Sequence, residues 1–103
     1  MPSRIEMLQA FIAKAPRDQF ARYALALEFK NAGRFDEACA LFSDLMTNDP
    51  DYTATYLHAG NLLVTMGRKD EARSVYGTGI EAASRRGDTH ARGELEGALG
   101  SLG

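Results

Sequence analysis

The sequence predicts an all-α protein of stacked antiparallel helix pairs, about five helices in all. Three observations carry this. Gly33-Arg34-Phe35-Asp36-Glu37-Ala38 returns thirty-four residues later as Gly67-Arg68-Lys69-Asp70-Glu71-Ala72. The same offset relates Phe42 to Tyr76 and Pro16 to Pro50. Between these marks the apolar residues recur at helical spacing, and no segment reads as a strand. A fixed period of this length means helical units that each bury a face they cannot bury alone.

The first helix opens at Ser3, which with Glu6 has the spacing of a capping box. Ile5, Leu8, Ile12 and Ala15 form its inner stripe, with Met7 and Phe11 expected to widen it. Lys14 suits the negative end of the helix dipole, and Pro16 ends the segment. The second helix, from Asp18 to Ala32, is apolar on more than one side. Arg22, Leu25, Ala26 and Phe29 share one face; Phe20, Tyr23, Leu27 and Lys30 share nearly the opposite one. Such a helix has neighbours on several sides. Gly33 is suited to close it in the left-handed conformation.

The third helix spans Phe35 to Asn48, with Asp36 and Glu37 at its start and Ala38, Leu41, Phe42 and Leu45 facing inward. Asp49-Pro50-Asp51 is a turn. The unit restarts at Tyr52: Tyr56, Ala59, Gly60 and Leu63 form one face, and Gly67 closes the helix. The returning helix carries Ala72, Val75, Tyr76, Gly79 and Ile80 inward. It should reach Arg86, because Ser84 stands where earlier units have a proline. Gly87 and Asp88 read as a C-cap followed by an N-cap. The last helix, Thr89 to Leu102, has Ala91, Leu95, Ala98, Leu99 and Leu102 on one stripe and Gly93, Gly97 and Gly100 opposite. Seven of the ten glycines lie from Gly77 onward, so this end is expected to be the softer one.

Composition narrows the function. Twelve Lys and Arg stand against fourteen Asp and Glu, and each side of Pro50 carries six basic and seven acidic residues. No clustered basic face exists for nucleic acid, nor a basic arm for a membrane surface. No run is long and apolar enough to span a bilayer, and the Met1–Glu6 start is wrong for a secretory signal. With Cys39 the only cysteine, a cytoplasmic location is expected.

Candidate chemistry is sparse. Gly77-Thr78-Gly79-Ile80-Glu81-Ala82 spells a dinucleotide fingerprint, but it lies inside a helix with no strand before it, which removes the phosphate-binding geometry. His58 and His90 fall on neighbouring first helices and could approach each other, without Cys or acid at ligand spacing. Cys39 lacks the oriented base that a thiol nucleophile needs. No catalytic, metal or cofactor residue is expected, and no enzyme.

Units of this length and pattern resemble the tetratricopeptide repeat. The resemblance rests on Leu25, Ala26, Phe29, Gly33, Phe35, Ala38, Phe42 and Pro50, then on Tyr56, Gly60, Leu63, Gly67, Ala72, Tyr76 and Gly79. Two departures stand out: Arg22 replaces the first large aromatic, and Ser84 replaces the closing proline. The resemblance implies one domain over 1–103. It comprises an N-terminal helix (3–16), repeat one (17–50), repeat two (51–86) and a capping helix (87–103).

It also implies a right-handed α-solenoid whose first helices line a concave groove for a peptide or helix of another protein. The expected groove wall is Phe20, Tyr23, Leu27 and Lys30, then Leu57, His58, Asn61 and Thr65, with Ala54 beside them. Phe20 and Tyr23 could instead pack on the first helix. The carboxylate clamp of some family members is missing, since Tyr23 and Leu27 occupy its places. The competing expectation is a homodimer or larger self-assembly that buries the groove or the glycine face of the last helix.

Overall fold

Each helix starts and stops where the sequence supplies the chemistry. The computed structural model describes residues 1–103 and contains six helices: α1 (Arg4–Lys14), α2 (Gln19–Asn31), α3 (Phe35–Asn48), α4 (Ala54–Thr65), α5 (Lys69–Arg86) and α6 (Thr89–Ser101). At α1 the capping box is complete. The Ser3 hydroxyl accepts from the Glu6 N–H at 3.1 Å, and the Glu6 carboxylate accepts from the Ser3 N–H at 3.2 Å. Asp18 caps α2 by accepting from the Ala21 N–H at 2.9 Å. α3 and α5 have no side-chain cap. Their first turns carry instead the ion pairs Arg34–Glu37 (2.7 Å) and Arg68–Glu71 (2.6 Å).

The recurring Gly-Arg stretch is therefore a helix stop and a helix start in one. Gly33 and Gly67 take φ of 76° and 77°, a left-handed geometry that disfavours side chains. The next N–H reaches back across each stop, Arg34 to the Phe29 carbonyl and Arg68 to the Leu63 carbonyl, both at 2.8 Å. Gly87 repeats the device after α5.

α2 pairs with α3, α4 with α5, and α6 packs on α4 and α5. Two cores result. Leu25, Ala26, Phe29, Ala38, Phe42 and Leu45 build the first with Ala59 and Leu62; Ala72, Tyr76, Ala82, Ala83 and Leu95 build the second with Tyr56 and Leu63. α4 contributes to both and buries six of its twelve residues. Thr55 and Leu62 are among these, so α4 is buried well beyond the single face expected. The stack is elongated, 43 × 29 × 19 Å. Its radius of gyration of 13.7 Å exceeds the roughly 13 Å of an average domain this size.

α1 departs from expectation. Ile5, Leu8 and Ile12 pack against the first core, but Met7 and Phe11 are 59% and 51% exposed. They do not widen the inner stripe.

Two glycines are required by contact rather than by turn geometry. A Cβ on Gly60 would overlap the Tyr76 ring, and one on Gly79 would stand 2.5 Å from the Tyr56 Cβ. Gly79→Ala is therefore expected to destabilise by about 1–3 kcal/mol through overpacking. Gly77→Ala, two residues away in the same helix, has open space around the new methyl. It should stabilise by about 1 kcal/mol through helix propensity. Urea unfolding of both variants checks the pair; equal effects would mean that the Tyr56 contact does not matter.

Candidate functional site

The first helices of successive pairs, α2, α4 and α6, meet on one side of the stack. There Tyr23, Thr53, Ala54, Leu57, His58, Ala91, Glu94 and Leu95 enclose a hollow of 230 Å³. Tyr23 is its fixed point. Its ring stands edge-on to Tyr52 (centroids 5.6 Å apart, planes at 72°) and to His58 (5.7 Å, 68°). Aromatic edge-to-face contacts of this kind hold ring orientation as well as position.

Polar and apolar atoms share the lining of the hollow, and Glu94 is its one charged side chain. Burial pushes the Tyr23 hydroxyl above its usual range, with Tyr52 and Glu94 adding to the shift. Burial also lowers the His58 pKa; Lys30 lowers it further and Glu94 partly opposes. His58 is thus a neutral imidazole near neutral pH, acting as an aromatic wall rather than a cation.

α6 is held in place by a polar latch at its start. Asp88 accepts from the Ala91 N–H at 3.0 Å and from the Thr53 hydroxyl at 2.9 Å, which ties the N-termini of α6 and α4 together. The same bonds, in that order, hold the Asp88 carboxyl below its usual range. Arg85 pairs with Asp51 at 3.0 Å, and Arg86 donates to the Asp51 carbonyl at 3.2 Å. The extra turns of α5, unbroken by a proline, bring both arginines to this junction.

Of the eight expected wall residues, Tyr23, Leu57 and His58 line the hollow. Lys30 is half-buried with its charge felt at His58, and Leu27 packs against the first core. Phe20 is 67% exposed. Asn61 is turned elsewhere: its amide oxygen accepts from the Tyr76 hydroxyl, and it borders a separate hollow with Val64, Ala98 and Leu102. Thr65 is exposed and donates to the Asn61 carbonyl at 3.1 Å. Sequence reasoning missed Glu94, Ala91 and Leu95. The signal was the N-cap at Asp88, which starts α6 in step with α2 and α4 and so gives it a groove face.

A larger cleft of 320 Å³ lies between the second helices, where α3 and α5 come no closer than 8 Å between Cα atoms. Phe42, Met46, Leu63 and Val75 form it, with the Arg68–Glu71 pair at its rim. Its one reactive atom, the Cys39 thiol, lies 3.6 Å from the Met66 sulfur. Burial raises its pKa, so the thiol stays protonated near neutral pH and is a poor nucleophile. No three His, Cys, Asp or Glu are grouped as a metal would require. His58 packs on Tyr23, whereas His90 is 88% exposed and bonds Glu94 at 3.1 Å, so each imidazole has its own partner. The fingerprint glycines lie within α5, Gly79 beneath Tyr56.

A neutral half-buried His58 has a consequence for stability. Its folded pKa lies below the unfolded 6.5, so the unfolded chain takes up the proton first as pH falls. Its contribution to stability is complete above that value and is lost through the window beneath it. His58→Gln should therefore show a smaller drop in urea midpoint between neutral pH and pH about 5.5 than the parent protein. An identical drop in both would place His58 in solvent.

Comparison with known proteins fits this architecture. The tetratricopeptide repeat family model matches residues 31–93. A tetratricopeptide repeat domain protein from Salinibacter ruber has a solution structure similar to this chain. The TM-score is 0.81 at 40% identity, over 84% of this chain and 88% of that one. A crystal structure of a tetratricopeptide repeat domain protein from the same organism gives 0.78 at 40% identity, over 84% and 96%. A protein from Bordetella parapertussis gives 0.85 at 27% identity, over 99% and 89%. No curated protein matches the chain. These likenesses agree with the all-α, right-handed solenoid expected from the repeats, a fold that generally serves protein–protein interaction. On its sequence, its helix pairing and these matches, the chain belongs to the tetratricopeptide repeat family.

Proposed function

We propose that the chain is a non-enzymatic interaction module that holds a peptide or helix of a partner protein along its concave groove. The supporting observation is the hollow at Tyr23, His58 and Leu57, where three first helices meet. A preformed concavity with aromatic walls and one convergent charge is the usual form of an anchor pocket. Its 230 Å³ suits a single side chain rather than a cofactor. We take residues 1–103 as the working domain, with Phe20 and Lys30 as the outer rim of the groove and α6 as its far wall. The mild charge balance and the absence of a basic face favour a protein partner over nucleic acid or a membrane surface.

Short peptides selected from a random display library against the parent protein test this reading. Tyr23→Ala and His58→Ala are each expected to weaken the selected peptides about tenfold or more, as truncation of an anchor pocket does. Phe20→Ala, at a well-exposed position, should change unfolding free energy by less than about 0.5 kcal/mol while still weakening binding. Peptides that bind all three variants equally, or that shift amide resonances only on the convex side, would refute groove capture.

A further inference from the structure

The cleft between α3 and α5 shares no residue with the hollow at Tyr23. Buried Phe42, Ala59 and Leu63 form its floor, and half-buried Cys39, Met46 and Val75 its sides. Ser43, Arg68, Glu71 and Ser74, all exposed, ring its mouth. An apolar cavity of about 150 Å³ takes one benzene ring. At 320 Å³ the cleft has room for two fused rings or an apolar body of similar size.

The same chain shows that this space is not inherent in the repeat. Thirty-four residues earlier the equivalent positions lie on α1, α2 and α3, and no cavity opens between α1 and α3. Side-chain volume accounts for the difference. Ile5, Leu25, Phe29 and Leu41 stand where the cleft has Cys39, Ala59, Leu63 and Val75. Phe42 and Ser74 run the other way, against Leu8 and Ala40, without making up the loss. Protein interiors are otherwise filled by their own side chains, so an apolar floor left open in this way is available to a ligand.

The mouth differs as well. Arg34 is fully engaged: its Nε and Nη2 both donate to Glu37 at 2.7 Å, and its guanidinium lies 4.6 Å over the Phe29 ring. Arg68 approaches Glu71 through Nη2 at 2.6 Å without that two-pronged bond, and Leu63, in the place of Phe29, offers it no ring. Arg68 thus keeps N–H groups for a ligand while Glu71 balances its charge. A carboxylate entering here would meet Glu71, and an ammonium would meet Arg68; a neutral acceptor meets no like charge.

We infer that the cleft binds a small uncharged amphiphile, its apolar body on Phe42, Leu63 and Val75 and a carbonyl oxygen at the mouth accepting from Arg68. The site is separate from the concave groove and stands whether or not that groove takes a peptide.

Titration of 1-naphthaleneacetamide into the isotope-labelled parent protein tests this, with 1-naphthaleneacetate and 1-naphthylmethylammonium as charged counterparts. The amide should shift the resonances of Phe42, Met46 and Val75 saturably and protect the Cys39 thiol from iodoacetamide. Both ions should bind about tenfold more weakly or worse. Cys39→Ile with Val75→Leu supplies the residues found at Ile5 and Leu41 and should abolish binding, with the fold verified by far-UV circular dichroism. Should that variant unfold, Arg68→Ala, at an exposed position, is expected to weaken the amide about tenfold through the lost hydrogen bond. Absence of saturable shifts, shifts confined to α2 and α6, tighter binding of either ion, or a folded variant that binds as the parent does would each overturn the inference.

Discussion

The structure depends on α4 being shared between two cores. Ala59 and Leu62 on one side complete the α2–α3 core, while Tyr56 and Leu63 complete the α5–α6 core. Neither helix pair could bury its apolar face alone, and a helix buried on several sides transmits order from one pair to the next. The groove inherits its geometry from this. Leu57, at the edge of the second core, and His58 follow Tyr56 directly in α4, so their placement follows from the burial of the residues beside them.

The two repeats solve one packing problem with different chemistry. In repeat two, large rings face missing side chains, Tyr56 on Gly79 and Tyr76 on Gly60. Each ring then fixes a second element through its hydroxyl, Tyr56 to the Pro50 carbonyl and Tyr76 to Asn61. In repeat one the corresponding positions hold Arg22 with Leu45, and Phe42 with Ala26. Volume moves from the first helix to the second, so the pair stays close-packed without the glycine. Arg22 keeps 20% of its side chain exposed and reaches Asp44 at 3.8 Å, its stem covering apolar surface while its charge meets water. The departure from the family pattern at Arg22 is thus matched by the volume of Leu45 on the paired helix.

Most of the fold was legible because it is written in local chemistry. Ser3 with Glu6, Gly33, Gly67, and the Gly87–Asp88 step each specify a helix end within a few residues, and the structure has these ends where the sequence puts them. What was not legible depends on neighbours. Met7 and Phe11 have the periodicity of a core stripe, but no helix covers them, and periodicity reports only which residues share a face. Asn61 has groove spacing, yet the hydroxyl of Tyr76 on another helix claims its amide. Glu94 was hidden by the opposite error. The final helix reads as a cap, and the one sign that its second face looks into the hollow is its start at Asp88, in step with α2 and α4.

The groove therefore has walls of unequal stiffness. Tyr23 is held by the Tyr52 and His58 rings and by a helix with four buried residues. The opposite wall, α6, buries Leu95 alone and carries three glycines on its outer face. Few buried contacts mean a low free energy of local opening. The latch at Asp88 acts only on the first turn of α6, so motion should increase from Ala91 toward Leu102 and leave the hollow itself comparatively fixed. For the partner proposed above, selectivity at the Tyr23–His58 end would come from shape.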